Sequence, residues 1–66
     1  MDIVINGAAH QVAEDMSLDR AVSLVSDAAT GVAAAVNGDL VRRACWPSTR
    51  LAAGDEVEVL TAVQGG

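Results

Sequence analysis

Sixty-six residues suffice for one small domain, and a chain of this length buries only about 60% of the surface that its unfolded form exposes. An apolar share of 52%, with Trp46 as the lone aromatic residue, points to a folded domain with a small aliphatic core and little room for an internal ligand pocket. The net charge of −5, from nine acidic side chains against four arginines and no lysine, disfavours nucleic-acid binding, which needs basic groups to neutralise phosphates, and suits encounter with a basic protein partner. A single cysteine, Cys45, cannot form an internal disulfide. Neither a charged-then-apolar leader nor a membrane-length apolar run stands out, so the expected setting is soluble and cytoplasmic.

In chain order, Asp2-Ile3-Val4-Ile5 is a β-branched run closed by Asn6-Gly7. Asn-Gly between two candidate strands is a strong hairpin signal because both residues tolerate positive φ. The returning strand is expected over His10-Gln11-Val12-Ala13, more polar, as suits an edge. Ser17 is a good N-cap, and Leu18, Ala21, Val22, Val25 and Ala29 follow at helical spacing. The spacing predicts an amphipathic helix of about three turns, stopped by Thr30-Gly31. Val32-Ala33-Ala34-Ala35-Val36, bounded by turn signals, reads as a buried strand. Leu40-Val41-Arg42-Arg43 reads as its partner across the Asn37-Gly38-Asp39 turn. Pro47 prevents Cys45-Trp46 from continuing as helix or central strand, so a loop or single helical turn anchored by Trp46 is expected through Arg50. Leu51 returns to the core, Gly54-Asp55 turns the chain, and a last strand runs from Glu56 to about Ala62.

The order is strand, strand, helix, strand, strand, strand. A helix with one apolar face and a sheet of four or five strands pack most economically with the helix across one face of the sheet. Residues 3–5 and 56–61 are the richest β segments and the expected central pair, set parallel by a right-handed crossover. That α+β architecture, a mixed sheet with one helix across it, is the β-grasp. Residues 1–62 form the domain, residues 63–66 a flexible tail, and the far face of the sheet is left open to partners.

The side chains offer no enzyme. Nucleophilic catalysis needs a base beside the nucleophile and a group to orient it, and the one His and one Cys fall on different elements. His10 reads as a solvated strand residue, and Cys45 as a small buried or half-buried thiol. Metal binding needs a cluster of ligands, and none is present in the pattern. Asp15-Met16-Ser17-Leu18 approaches the Asp-Ser-Leu attachment site of acyl carrier proteins, but Met16 interrupts it and the strand-rich pattern contradicts a helical bundle. Arg42, Arg43 and Arg50 are either a solvated strand edge or a partner contact. Trp46 is either a lid on the core or a binding hot spot.

What remains is the end of the chain, Val63-Gln64-Gly65-Gly66, fed directly by the last strand. At average usage, two glycines occupy two given positions in roughly one chain in two hundred. A Gly-Gly end is thin enough to enter a narrow channel, and a partner would offset its ordering cost with strand-like hydrogen bonds. The alternative is an ordinary frayed terminus. The Gly66 carboxylate is ionised at neutral pH and a poor electrophile. Once activated by another protein, most simply as an acyl-adenylate, it can accept a nitrogen or sulfur nucleophile.

The sequence resembles the thiamine-biosynthesis sulfur carrier family (ThiS), ubiquitin-like β-grasp domains of about this length. The resemblance is carried by Ala35-Val36-Asn37-Gly38, Val41 with Arg43, Trp46, Leu51, Gly54-Asp55-Glu56-Val57-Glu58-Val59 and Val63-Gln64-Gly65-Gly66. The first thirty residues match in pattern only, and Arg42 stands where the family often has proline. The resemblance implies a carrier, not an enzyme, with no cofactor of its own. An adenylating enzyme related to ubiquitin activators uses ATP to activate Gly66, and a persulfide from a cysteine desulfurase system leaves sulfur there as a thiocarboxylate. Thiazole synthase then takes that sulfur. Gly65, Gln64, Val63 and Leu60 are the expected partner contacts. The alternatives are a carrier for molybdopterin or another sulfur pathway, such as cysteine formation, a ubiquitin-like modifier of protein lysines, and an interaction module whose Gly-Gly is incidental.

Overall fold

The first two strands, β1 (Asp2–Ile5) and β2 (Ala8–Gln11), form a hairpin in the computed structural model, which describes residues 1–27 and 31–61. Asn6 and Gly7 both have positive φ, 51° and 82°, as a two-residue hairpin turn of right-handed strands requires. Ile5 therefore faces Ala8 directly, and the returning strand starts two residues earlier than the expected His10. The turn sets the register here and overrides the weak β propensity of Ala8-Ala9. Val12 lies beyond β2 and is held by the chain start: its N–H donates to the Met1 carbonyl at 2.8 Å, and the Met1 ammonium donates to the Val12 carbonyl at 2.6 Å.

Helix α1 spans Leu18–Val25, and Ser17 caps it by accepting the Arg20 N–H on its hydroxyl at 3.3 Å. Leu18, Ala21 and Val22 are buried, as the periodicity predicts. The helix is shorter than expected. Ser26 is already extended (φ −148°, ψ 133°), and Val25, counted on the apolar face, is exposed. Ser26-Asp27 follow the β-branched Val25, and short polar side chains compete with the helix for backbone groups. Ala29 and Thr30, where the periodicity was extended, lie outside the described residues.

Strand β3 (Val32–Val36) occupies the expected residues, and β4 (Asp39–Val41) follows a second Asn-Gly turn in which Asn37 and Gly38 have φ of 50° and 86°. Again the two-residue turn advances the strand: Asp39 pairs with Val36, and β4 ends at Val41, leaving Arg42 and Arg43 outside it. A 3₁₀ helix, Arg43–Ser48, accommodates Pro47. It buries Trp46 at 3% exposure as a lid on the core, with the indole N–H donating to the Val41 carbonyl at 2.9 Å. Cys45 is exposed, contrary to the expected buried or half-buried thiol. With about three residues per turn, the residue before an inward Trp46 points to another side. Strand β5 (Glu56–Thr61) completes the sheet; the expected extension to Ala62 lies outside the described residues.

The sheet has five strands in the order β2-β1-β5-β3-β4. β1 and β5 are adjacent and parallel, and the other pairs are antiparallel. β5, last in sequence, is central in space. The core is aliphatic apart from the Trp46 lid: Ile3, Ile5, Val57, Val59 and Ala34 from the sheet, Leu18, Ala21 and Val22 from the helix, and Leu51. Leu51 is set by backbone bonds that tie its strand-like neighbourhood to the helix start, Leu51 N–H to the Met16 carbonyl and Leu18 N–H to the Thr49 carbonyl, each 2.8 Å.

Candidate functional site

The last described strand, β5, is the central one of the sheet. β5 alternates: Val57 and Val59 are buried in the core, while Glu56, Glu58 and Leu60 lie on the opposite face, which bears no helix among the described residues. On that open face Leu60 sits beside Ala33, and Glu58 lies in a row with Ala35 and Leu40. Leu40 and Leu60 keep 76% and 67% of their surface exposed. They stand two strands and two residues apart, about 12 Å on the diagonal, with Ala33 and Ala35 between them. The result is a shallow apolar patch near the Thr61 end of β5, with Glu56 and Glu58 bordering it.

Both ends of β5 are pinned by asparagine side chains. At its start, Asn37 Oδ1 accepts the Glu56 N–H at 2.9 Å, and Asn37 Nδ2 donates to Asp55 Oδ1 at 3.0 Å. Asp55 Oδ2 in turn accepts the Ala52 N–H at 2.8 Å, closing the turn before the strand. Towards its end, Asn6 Oδ1 accepts the Val59 N–H at 2.8 Å, and Asn6 Nδ2 donates to the Val59 carbonyl at 3.1 Å. Sequence reasoning counted both asparagines as turn residues only. The available signal was their shared place, first in an Asn-Gly pair, where aspartate or glycine would also serve the turn.

Of the expected site residues, Leu60 is exposed on the open face, and Val63, Gln64, Gly65 and Gly66 lie outside the described residues. His10 and Cys45 are not brought together. His10 is half-buried on β2 at one edge of the sheet, opposite Ile3 and hence on the helix side, not a fully solvated residue. Cys45 belongs to the 3₁₀ helix that follows β4 at the other edge. The three arginines form no strand edge. Arg43 lies over the Trp46 ring at 5.1 Å from its centroid, and Arg50 donates to the Asp15 carbonyl at 3.3 Å. Among the described residues no group of three His, Cys, Asp or Glu side chains could hold a metal ion, and no helix is long and apolar enough to cross a membrane.

A parallel β1–β5 pair at the centre of a mixed five-stranded sheet, with one helix across it, defines the ubiquitin-like β-grasp class. The family model of the ThiS family matches residues 3–66, and the chain belongs to that family, whose members are small sulfur carriers of thiamine biosynthesis and not catalysts. Two solved structures are similar along the whole chain. A crystal structure of the thiamine biosynthesis protein (ThiS) from Geobacter metallireducens is 30% identical, with all of each chain covered and a TM-score of 0.83. An NMR solution structure of a thiamine biosynthesis protein from the same organism is 29% identical, with all of this chain and 88% of that one covered and a TM-score of 0.79. No protein of curated function matches the sequence.

Proposed function

We propose that this domain carries sulfur on the carboxyl group of Gly66 for the building of the thiazole ring of thiamine. The observation that carries the reading is the family match, which runs through Gly65-Gly66. A Gly66 carboxylate oxygen attacks the α-phosphate of ATP within an adenylating enzyme of the ubiquitin-activator kind, and pyrophosphate leaves. A persulfide sulfur, supplied by a cysteine desulfurase system, then displaces AMP. Reductive cleavage of the sulfur–sulfur bond by a thiol leaves the thiocarboxylate, which thiazole synthase consumes. The carrier supplies no catalytic group in any of these steps.

Its own contribution is presentation. A tail of Val63, Gln64, Gly65 and Gly66 is narrow, and a partner reads such a segment with strand-like hydrogen bonds. The patch around Leu60 and Leu40, bordered by Glu56 and Glu58, fits a partner surface that combines aliphatic and basic side chains. Docking there holds the domain while the tail reaches the nucleotide.

The test is the intact mass of the protein after incubation with ATP, the adenylating enzyme and a sulfur donor. The expected product is heavier by one oxygen-to-sulfur replacement mapped to Gly66, and a chain lacking Gly66 remains unchanged. An unmodified mass, with the same enzyme active on another carrier, overturns the proposal.

A further inference from the structure

The parallel ladder between β1 and β5 is short. Val4 pairs with Glu56 and Ile5 with Val57, the Asn6 N–H donates to the Val57 carbonyl at 2.9 Å, and the chain then turns away through Asn6-Gly7. β5 continues four residues further, to Thr61. On its other edge it stays paired with β3 along its length, Val32 facing Thr61 at the last position. The Asn37 N–H donates to the Glu56 carbonyl at 2.7 Å, which fixes the alternation: Glu56, Glu58 and Leu60 direct their backbone groups to the β3 side, and Val57, Val59 and Thr61 direct theirs to the β1 side. Beyond Val57, the group that meets the β1 side is the Asn6 side chain, which gives Val59 both an acceptor and a donor. One amide thus stands in for a strand residue where β1 has run out.

The turn does not require this. Glycine supplies positive φ at least as easily, and aspartate tolerates it, but only asparagine also offers an N–H to the Val59 carbonyl. We infer that Asn6 is a positioning residue for the reaction at Gly66. By clamping Val59 it holds β5 on its β1 edge as well, two residues before Thr61, and so fixes the direction of the strand that leads to the chain end. It acts through the strand and touches no reacting atom. The inference rests on the proposed reading of Gly66 as the activated end. Without the clamp, the end of β5 is held by β3 alone, and one-sided strand ends open locally. The domain then docks as before but presents its terminus in many orientations, and small misplacements of reacting groups cost large factors in rate.

The test compares the parent with Asn6→Gly, which keeps the turn and removes both bonds, and Asn6→Asp, which keeps the turn and the acceptor but sets a carboxylate oxygen against the Val59 carbonyl. Two readouts are taken well below the unfolding temperature: amide hydrogen exchange, and pyrophosphate release from ATP by the adenylating enzyme as a function of carrier concentration. The expected result is exchange at Val59 faster by about tenfold or more in Asn6→Gly and by less in Asn6→Asp, which keeps the acceptor of the Val59 N–H, with Leu60, whose amide faces β3, changed by less than about twofold in both. With it, kcat falls by about tenfold at nearly constant KM in both variants. A purely structural role would raise exchange across the sheet and leave kcat alone. If the parent reacts and both variants match its kcat, the clamp has no positioning role. If the parent itself is not adenylated by an enzyme active on another carrier, the reading of Gly66 fails first, and the kinetic consequence of the clamp falls with it.

Discussion

Along β5, alternate residues have opposite fates. Val57 and Val59 are buried with Ile3, Ile5 and Trp46, whereas Leu60, one residue from Val59, stays mostly exposed beside Ala33. The two faces of the sheet carry similar aliphatic side chains, yet only the helix-covered face removes them from water on folding. Burial of apolar area, at about 25 cal/mol per Å², stabilises the domain through the first set alone. The second set keeps its apolar surface in water in the folded domain. Hydropathy cannot separate the two sets; the pleat and the single helix do. Substitutions on the two faces should therefore differ in kind, those on the covered face in unfolding and those on the open face in binding.

The largest effect is expected at Trp46. It closes the end of the core and spends its one polar group on the Val41 carbonyl, so nothing buried in it is left unpaired. Trp46→Ala removes the largest side chain of a small core and frees the Val41 carbonyl, at a cost of about 3–5 kcal/mol. That is a large part of the margin of so short a domain. Urea titration checks it, with Trp46→Phe as the milder variant if Trp46→Ala does not fold. A loss below about 1 kcal/mol in Trp46→Ala would show that the lid is dispensable and that the covered face ends at Leu51.

The converse holds at Leu60. Leu60→Asp is expected to change stability by no more than about 0.5 kcal/mol, since the side chain is largely in water in the folded state. Affinity for the adenylating enzyme is expected to fall by tenfold or more, because a carboxylate in the middle of an apolar contact must be desolvated without a partner. Titration calorimetry reads the affinity, and an unchanged value would remove Leu60 from the docking surface. Leu40→Asp tests how far the patch extends across β3. An effect confined to Leu60 would place the contact at the strand exit alone.

Element types were legible in the sequence where one physical signal decided them. The β-branched runs at residues 3–5 and 56–61, the Ser17 cap and the two Asn-Gly pairs each point to one structure, and together they give the parallel central pair and the helix across it. The boundaries were not legible to the same degree. β2 and β4 start where two-residue turns place them, at Ala8 and Asp39, although neither residue favours strands. The helix ends at Val25 because apolar spacing says nothing about the backbone competition from the serine and aspartate that follow. Cys45 was misjudged because a thiol beside a buried tryptophan looks buried until the 3₁₀ geometry separates the two. The Gly-Gly end was conspicuous because nothing local requires it. Asn6 was invisible as a site residue for the opposite reason: the turn already accounted for an asparagine, and its second use depends on a strand more than fifty residues away.

The smallest expected effect lies where the two faces meet, at Arg43. Its guanidinium rests over the Trp46 ring at 5.1 Å, on the solvent side of the lid. Exposed cation–π contacts contribute about 0.5–1 kcal/mol, so Arg43→Gln should lower stability by about 0.5 kcal/mol, with a shift in Trp46 fluorescence emission as its direct signature. Glutamine retains much of the side chain's length and removes the charge, which separates stacking from simple coverage. If stability and emission both stay constant while affinity for the adenylating enzyme drops and loses part of its salt dependence, Arg43 belongs with Leu40 and Leu60. The partner-facing surface would then wrap around the edge of β4 towards the 3₁₀ helix, and the division between a face for folding and a face for binding would run through the Trp46 lid.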